Sequence, residues 1–310
     1  MSKSAVLFNG QGAQVEGMMR DLAETLPACR EVFETADRVL GRSISGLCFE
    51  APQKELNLTR NTQPCVLAAD LAAWVALKST GFQPQAAAGF SLGEYAALVA
   101  AGVLSVEEAF RLVQTRADAM QEAVPIGQGS MAMIGECDEK TVLELCSRVG
   151  GFVAPANFNR PGQIVVSGEA SAIKALVVLG KEQGIRILRL PVSAPFHCTL
   201  MEPAAARLAA PLAKLRLRDP SFPVYMNCDA EPMTTAERIA EKLARQVTSP
   251  VRWESTLRRM QADGIDTFVE LGPGTTLSAF TAKTLGEVRI LNVGDLETLR
   301  QTAEAIQAGK

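Results

Sequence analysis

Histidine is the scarcest reactive side chain in this sequence: 310 residues contain one, His197. Seven cysteines are scattered without a single C-x-x-C pair. Together these shortages remove the donor set of a zinc site, so no metal is expected. The odd cysteine count favours reduced, structural thiols of the kind found in a cytoplasm. An excess of charge of either sign is also missing. The net charge of -3 argues against general nucleic-acid binding. Long apolar runs are missing too. The longest, Cys65 to Leu77, is interrupted by Asp70 and is shorter than the ~20 residues that cross a bilayer. The first residues lack the extended apolar region of a signal peptide. The 47% apolar content and the length suit one large or two modest globular domains.

What the chain does have is Gly89-Phe90-Ser91-Leu92-Gly93, a G-x-S-x-G motif. It follows the apolar run Ala86 to Ala88 and precedes the helix-forming run Glu94 to Ala101, the strand–turn–helix setting of a nucleophile elbow. The flanking glycines allow a sharp turn and space around Ser91. The helix start offers free N–H groups to an anion beside it. Alone, the motif fits a plain glycine-rich turn equally well.

Along the chain, Ala5 to Phe8 reads as a buried strand, followed by the loop Asn9-Gly10-Gln11-Gly12-Ala13-Gln14. Helix patterns cover about Gly17 to Leu26 and Pro27 to Leu40, and Thr62-Gln63-Pro64 opens another. Ser105-Val106-Glu107-Glu108 is a capping box. In the helix it starts, Ala109, Leu112, Val113, Arg116 and Met120 share one apolar face. Arg116 therefore points inward, where a guanidinium needs an anion. That anion is either an internal Asp or Glu or a substrate carboxylate.

From about Gln128 to Val192 the element order becomes β-α-β-β-α-β, that of a ferredoxin-like unit inserted into a larger one. The division predicted is 1–127 with 198–310 as a large subdomain and 128–197 as a small one. Strands at Pro223 to Asn227, Thr267 to Leu271 and Arg289 to Val293 return the chain to the larger unit.

Ser91 needs a base, and His197 is the only histidine available. It lies in Pro191-Val192-Ser193-Ala194-Pro195-Phe196-His197-Cys198. Cys198 is a weaker rival nucleophile, because adjacent side chains diverge and His197 is badly placed to activate it.

With these residues in view the chain resembles the malonyl-CoA:acyl carrier protein transacylases, from about Ala5 to Val293. The motifs are the Gly10 to Gln14 loop, Thr62-Gln63-Pro64, the Ser91 elbow, Leu112-Val113-Gln114-Thr115-Arg116 and Met120 to Pro125. They continue with Ala156-Asn157-Phe158-Asn159, Pro161-Gly162-Gln163, the His197 segment and Glu270-Leu271-Gly272-Pro273-Gly274. The resemblance implies an α/β fold, an α/β-hydrolase-like core with a parallel sheet, carrying the ferredoxin-like insert. It implies that Ser91 takes the malonyl group from malonyl-CoA with His197 as base. The Gln11 and Leu92 N–H groups would form the oxyanion hole, and Arg116, assisted by Gln63, would hold the malonyl carboxylate. A malonyl-serine intermediate would pass to the phosphopantetheine thiol of acyl carrier protein, in fatty-acid or polyketide synthesis. A carbonyl near the residue before Pro250, Ser249 here, would orient the imidazole. No permanently bound cofactor, membrane or nucleic-acid partner is implied, and the chain is expected to be a cytoplasmic monomer.

Two positions depart from the family pattern: Phe90, often histidine, and Ser249, often asparagine. Phe196 resembles the malonyl-type pattern, since a ring leaves less room for an α-methyl group. Carrier proteins in these systems are acidic, which makes Arg186, then Arg189, the candidates for docking. Lys214, Arg216 and Arg218 read as a solvated face. The competing readings are a carrier-protein acyl hydrolase using the same Ser–His pair, a transacylase for an unusual extender unit, and a non-catalytic docking protein.

Overall fold

The computed structural model describes residues 2–192 and 194–308. Ser193, in the segment leading to His197, and the termini Met1, Gly309 and Lys310 lie outside the described residues. The chain opens with β1 (Ser4–Phe8), α1 (Arg20–Thr25), α2 (Pro27–Leu40), α3 (Ile44–Phe49), α4 (Gln53–Leu56) and α5 (Thr59–Ser79). Then come β2 (Ala86–Gly89), α6 (Gly93–Ala100) and α7 (Val106–Glu122). The middle stretch is β3 (Gly129–Gly135), α8 (Glu139–Ser147), β4 (Val153–Arg160), β5 (Gln163–Glu169), α9 (Ala170–Glu182) and β6 (Ile187–Arg189). The remainder is α10 (Glu202–Ala213), β7 (Val224–Tyr225), β8 (Pro232–Met233), α11 (Ile239–Gln246) and α12 (Trp253–Ala262). Last come β9 (Thr267–Leu271), α13 (Thr276–Leu285), β10 (Arg289–Val293) and α14 (Leu296–Ala308).

Two sheets result. The six-stranded one has the order β10-β9-β1-β2-β7-β8, and all its pairings are parallel except β7 with β8. Strand β1 is central and fully buried from Ala5 to Phe8, with β2 on one side and β9 on the other. Its register aligns Phe8 with Gly89 and with Leu271. Three loops therefore leave the same carboxyl edge of the sheet side by side: 9–14, the Ser91 turn and 272–274. The chain winds outward from β1 in both directions, and ligands of open α/β sheets collect at that edge.

The second sheet is antiparallel with order β4-β5-β3-β6, flanked by α8 and α9. This is the strand order of a ferredoxin-like unit, built from the predicted element order. It touches the larger sheet's elements through β4, where Phe158 N–H donates to Val251 O and Val251 N–H to Ala156 O, each at 2.9 Å.

Helix α5 is almost wholly buried and packs against α2 and α7. Sequence patterning predicts its start at Thr62, but it begins at Thr59, with Pro64 inside. Proline removes the N–H that would bond the Arg60 carbonyl. The guanidinium of Arg42 supplies a replacement donor to that carbonyl at 2.6 Å. Such a long-range substitute is invisible in a local pattern. Similarly, the helix predicted from Gly17 starts only at Arg20, and the extended stretch before Val192 pairs only over Ile187–Arg189.

Candidate active site

The elbow is built by close contact. A side chain on Gly89 would meet the Gly93 backbone at 1.9 Å, and one on Gly93 would meet Phe8 O at 2.3 Å. Both glycines are thus required for the approach of α6 to the sheet. The sharp turn itself falls on Ser91, whose φ is +53°. A left-handed non-glycine residue costs on the order of 1–3 kcal/mol and must be held by its surroundings. Here Ser91 N–H donates to Asn227 Oδ1 at 2.6 Å, and Ser91 O accepts from Gln246 Nε2 at 2.8 Å. Asn227 Nδ2 also clips Gly89 O at 2.7 Å.

His197 sits on the loop after β6, also at positive φ (+60°). Its Nε2 lies 2.7 Å from Ser91 Oγ, and its Nδ1 2.9 Å from the main-chain O of Gln246. An imidazole that donates from Nδ1 to a carbonyl presents a basic Nε2 to the serine. Burial, then the nearby Arg116 charge, pulls the His197 pKa down to about 4. The Gln246 carbonyl, and more weakly that of Ser249, acts in the opposite sense. The residue expected to orient the imidazole, Ser249, is therefore the lesser partner. Gln246, three positions earlier at the end of α11, makes the hydrogen bond.

Arg116 is 2% exposed. It donates from Nη1 to Gln63 Oε1 (2.6 Å), and from Nη2 to Ser91 Oγ (3.1 Å) and Gln246 Oε1 (2.9 Å). Its guanidinium carbon lies 5.8 Å from the Tyr95 ring centre. No carboxylate pairs with it directly, and its Nε has no partner among the described residues. The internal salt bridge weighed from the sequence is thus not what buries it. Desolvation lowers the Arg116 pKa. The carboxyl group whose charge acts on it is that of Glu94, fully buried, which receives Gln246 Nε2 and, at 3.3 Å, the Asn227 N–H. Burial raises Glu94 to about 8, against those hydrogen bonds and the Arg116 charge.

These groups open into a cavity of about 240 Å³. Gln11, Gln63, Ser91, Arg116, Phe196 and His197 all line it. The small sheet contributes Met131, Asn157, Asn159 and Val165 to the opposite wall. Among the described residues, the N–H groups of Gln11 and Leu92 donate to no protein acceptor. Phe90 forms part of the wall and packs edge-on to Trp253, centroids 5.4 Å apart, with Phe280 at 6.3 Å. Cys198 does not compete. Its Sγ donates to Pro195 O at 3.1 Å, and burial raises its thiol pKa.

Arg186 and Arg189 lie at and beside the exposed edge strand β6, one to four residues before the cavity-lining Leu190. Arg189 Nε reaches Ser130 Oγ at 3.0 Å. Lys214, Arg216 and Arg218 are exposed after α10 and do not line the cavity. Among the described residues no cluster of His, Cys, Asp and Glu could hold a metal ion.

Asn227, Gln246 and Glu94 are the site residues that sequence patterning misses. Glu94 directly follows the motif's last glycine, Gly93, yet a glutamate in a first helical turn ordinarily faces water. Asn227 and Gln246 lie 136 and 155 residues from Ser91.

A serine in contact with an imidazole, on a strand–turn–helix elbow at the carboxyl edge of a parallel sheet, defines the class as serine acyl transfer. Comparison with known proteins narrows it. A family model described as acyl transferase domain matches residues 6–303. A malonyl CoA-acyl carrier protein transacylase of Bacillus subtilis is 42% identical, over 99% of this chain and 98% of that relative. One from Escherichia coli is 41% identical, over 91% and 93%. The solved transacylase of Clostridium perfringens superposes with a TM-score of 0.95 at 38% identity, covering 99% of this chain and 98% of that one. The chain belongs to the malonyl CoA-acyl carrier protein transacylase family of acyltransferases.

Proposed function

We propose that this acyltransferase moves a malonyl group from malonyl-CoA to the phosphopantetheine thiol of acyl carrier protein by a ping-pong route through malonyl-Ser91. The buried Arg116 carries the reading: a guanidinium sealed beside Ser91, with neutral amide partners and no paired carboxylate among the described residues, is the charge complement of an acyl carboxylate. In the first half-reaction Ser91 Oγ attacks the thioester carbon while His197 Nε2 takes its proton. The tetrahedral oxyanion is received by the N–H groups of Gln11 and Leu92. Such a donor typically contributes ~2.7–4 kcal/mol of barrier lowering. The carbon–sulfur bond then breaks, and His197 returns the proton to the departing coenzyme A thiolate. In the second half-reaction the carrier-protein thiol gives its proton to His197 and attacks the malonyl-Ser91 carbonyl; as the carbon–Oγ bond breaks, His197 returns that proton to Ser91 Oγ. Gln63 shares the acyl carboxylate with Arg116, and buried Phe196 leaves little room for an α-substituent.

The carrier protein docks across the β6 edge, where Arg186 and Arg189 are exposed. One solved relative, 40% identical with a TM-score of 0.95, is a type II PKS acyl-carrier protein in complex with its malonyl-transacylase. The route needs no permanently bound cofactor. No helix among the described residues is long and apolar enough to cross a membrane. A hydrolase of neutral acyl chains would have no use for a buried cation.

Arg116→Ala tests the reading. Malonyl transfer to carrier protein should be lost, while acetyl transfer survives or improves, as measured by steady-state rates with both thioesters. Equal losses would make Arg116 structural.

A further inference from the structure

Gln246 holds the two halves of the site with different atoms. Its main-chain carbonyl accepts from His197 Nδ1, and its side-chain carbonyl accepts from Arg116 Nη2. Its side-chain NH2 donates to Ser91 O and to Glu94. An amide has two faces, and this one works only one way round. Arginine is a donor without acceptors, so Gln246 must present oxygen to it. If the amide rotated by half a turn, its NH2 would face the Arg116 N–H groups, and its oxygen would face the Ser91 carbonyl and the Glu94 carboxyl. The bonds to Arg116 and to the Ser91 carbonyl would be lost in a fully buried place, where unmade bonds are most costly. Beside Arg116 and the Ser91 carbonyl, Glu94 gives the Gln246 NH2 its second acceptor, and it is itself anchored by the N–H of Asn227. Asn227 in turn holds Ser91 N–H and Gly89 O.

We propose that Glu94 is a positioning residue for the charged acyl group: it fixes the Gln246 amide so that its oxygen aims the Arg116 guanidinium into the cavity. This rests on the malonyl reading above and adds to it a residue whose side chain touches neither Ser91 Oγ nor the imidazole. Loss of Glu94 leaves the Gln246 main-chain carbonyl in place for His197. It frees Arg116 to follow a misoriented amide. The damage should therefore fall on acyl groups that bear a carboxylate.

The test compares malonyl-CoA with acetyl-CoA for wild type, Glu94→Leu, Glu94→Gln, Gln246→Leu and the Glu94→Leu/Gln246→Leu double variant. Glu94→Leu and Gln246→Leu should each lose at least about tenfold more kcat/KM for malonyl than for acetyl transfer, with KM for malonyl-CoA carrying most of it. Glu94→Gln keeps an oxygen for the Gln246 NH2 and should restore the malonyl preference to within about threefold of wild type. The double variant should be no worse than the poorer single one, because both act through the same amide. If Glu94→Leu does not fold, Glu94→Ala replaces it in the same comparison with the same expectation. Equal losses for the two acyl groups, or fully additive losses in the double variant, would overturn the inference alone. A wild-type enzyme with no malonyl preference would overturn the malonyl reading as well.

Discussion

Ser91 and His197 share an unusual backbone state: both sit at positive φ although neither is glycine. Strain of this kind persists only when the surroundings over-determine it. At Ser91 that is done by Asn227 and Gln246, which grip its N–H and C=O. The electrostatics at His197 lead to a pH prediction. Its pKa, about 4 in the folded chain, lies below the ordinary 6.5. The neutral, base-competent form therefore persists to lower pH than for a free imidazole. The acid limb of kcat/KM for acylation should fall near pH 4, with a flat profile from about 6 to 8; a limb near 6.5 would contradict the burial argument. For stability the sign is the same. The unfolded chain takes up a proton below about 6.5 and the folded one does not until about 4, so this group weakens the fold as pH falls through that window. At this scale a motif, a unique histidine and an apolar helix face marked Ser91, His197 and Arg116 in the sequence, whereas Gln63 came only from the family resemblance. Glu94, Asn227 and Gln246 were not legible there, since their meaning arises only when distant segments meet.

Among the elements, α7 shows how local chemistry sets the position of a distant group. Ser105 Oγ accepts from Glu108 N–H at 3.1 Å, and the Glu108 carboxylate accepts from Ser105 N–H at 2.8 Å. This capping box fixes the helix start, and the helical period then turns Arg116 into the site two to three turns later. Ser105→Ala should cost about 1 kcal/mol in urea unfolding. It should leave the malonyl-to-acetyl ratio unchanged, because the face of α7 is held by its packing on α5 and α10. A shifted ratio would mean that the cap tunes Arg116 directly. The capping box was readable because its four residues are contiguous. The true start of α5 was not, because the donor that tolerates Pro64 comes from Arg42.

Across the whole molecule, the ferredoxin-like order and the parallel sheet were both foreseeable, the first from element order and the second from the resemblance. The sequence could not show that the small sheet's Asn157 and Asn159 close the cavity over Ser91. Nor could it show how much charge the large sheet buries. Asp70, on α5, is fully buried, and neither of its carboxyl oxygens has a hydrogen-bond partner among the described residues. Burial, then the neighbouring Glu270, raises its pKa well above the usual range. The folded chain therefore holds a proton that the unfolded chain releases above about pH 4, and stability falls as pH rises from there toward the folded pKa. Asp70→Asn removes this dependence. Its melting temperature relative to wild type should climb as the pH is raised from 5, and a constant difference would show that Asp70 is ionised in the fold.

The central claim, that Ser91 carries the acyl group between two thiols, is tested most directly by intact-protein mass spectrometry after mixing with malonyl-CoA. The wild-type chain should gain one malonyl group, mapped by peptide digestion to Ser91. That adduct should disappear on addition of carrier protein bearing phosphopantetheine, with the malonyl group recovered on the carrier. Ser91→Ala should gain nothing and transfer nothing. Malonyl transfer by Ser91→Ala at the wild-type rate, or an adduct on any other residue that carrier protein discharges, would contradict the account.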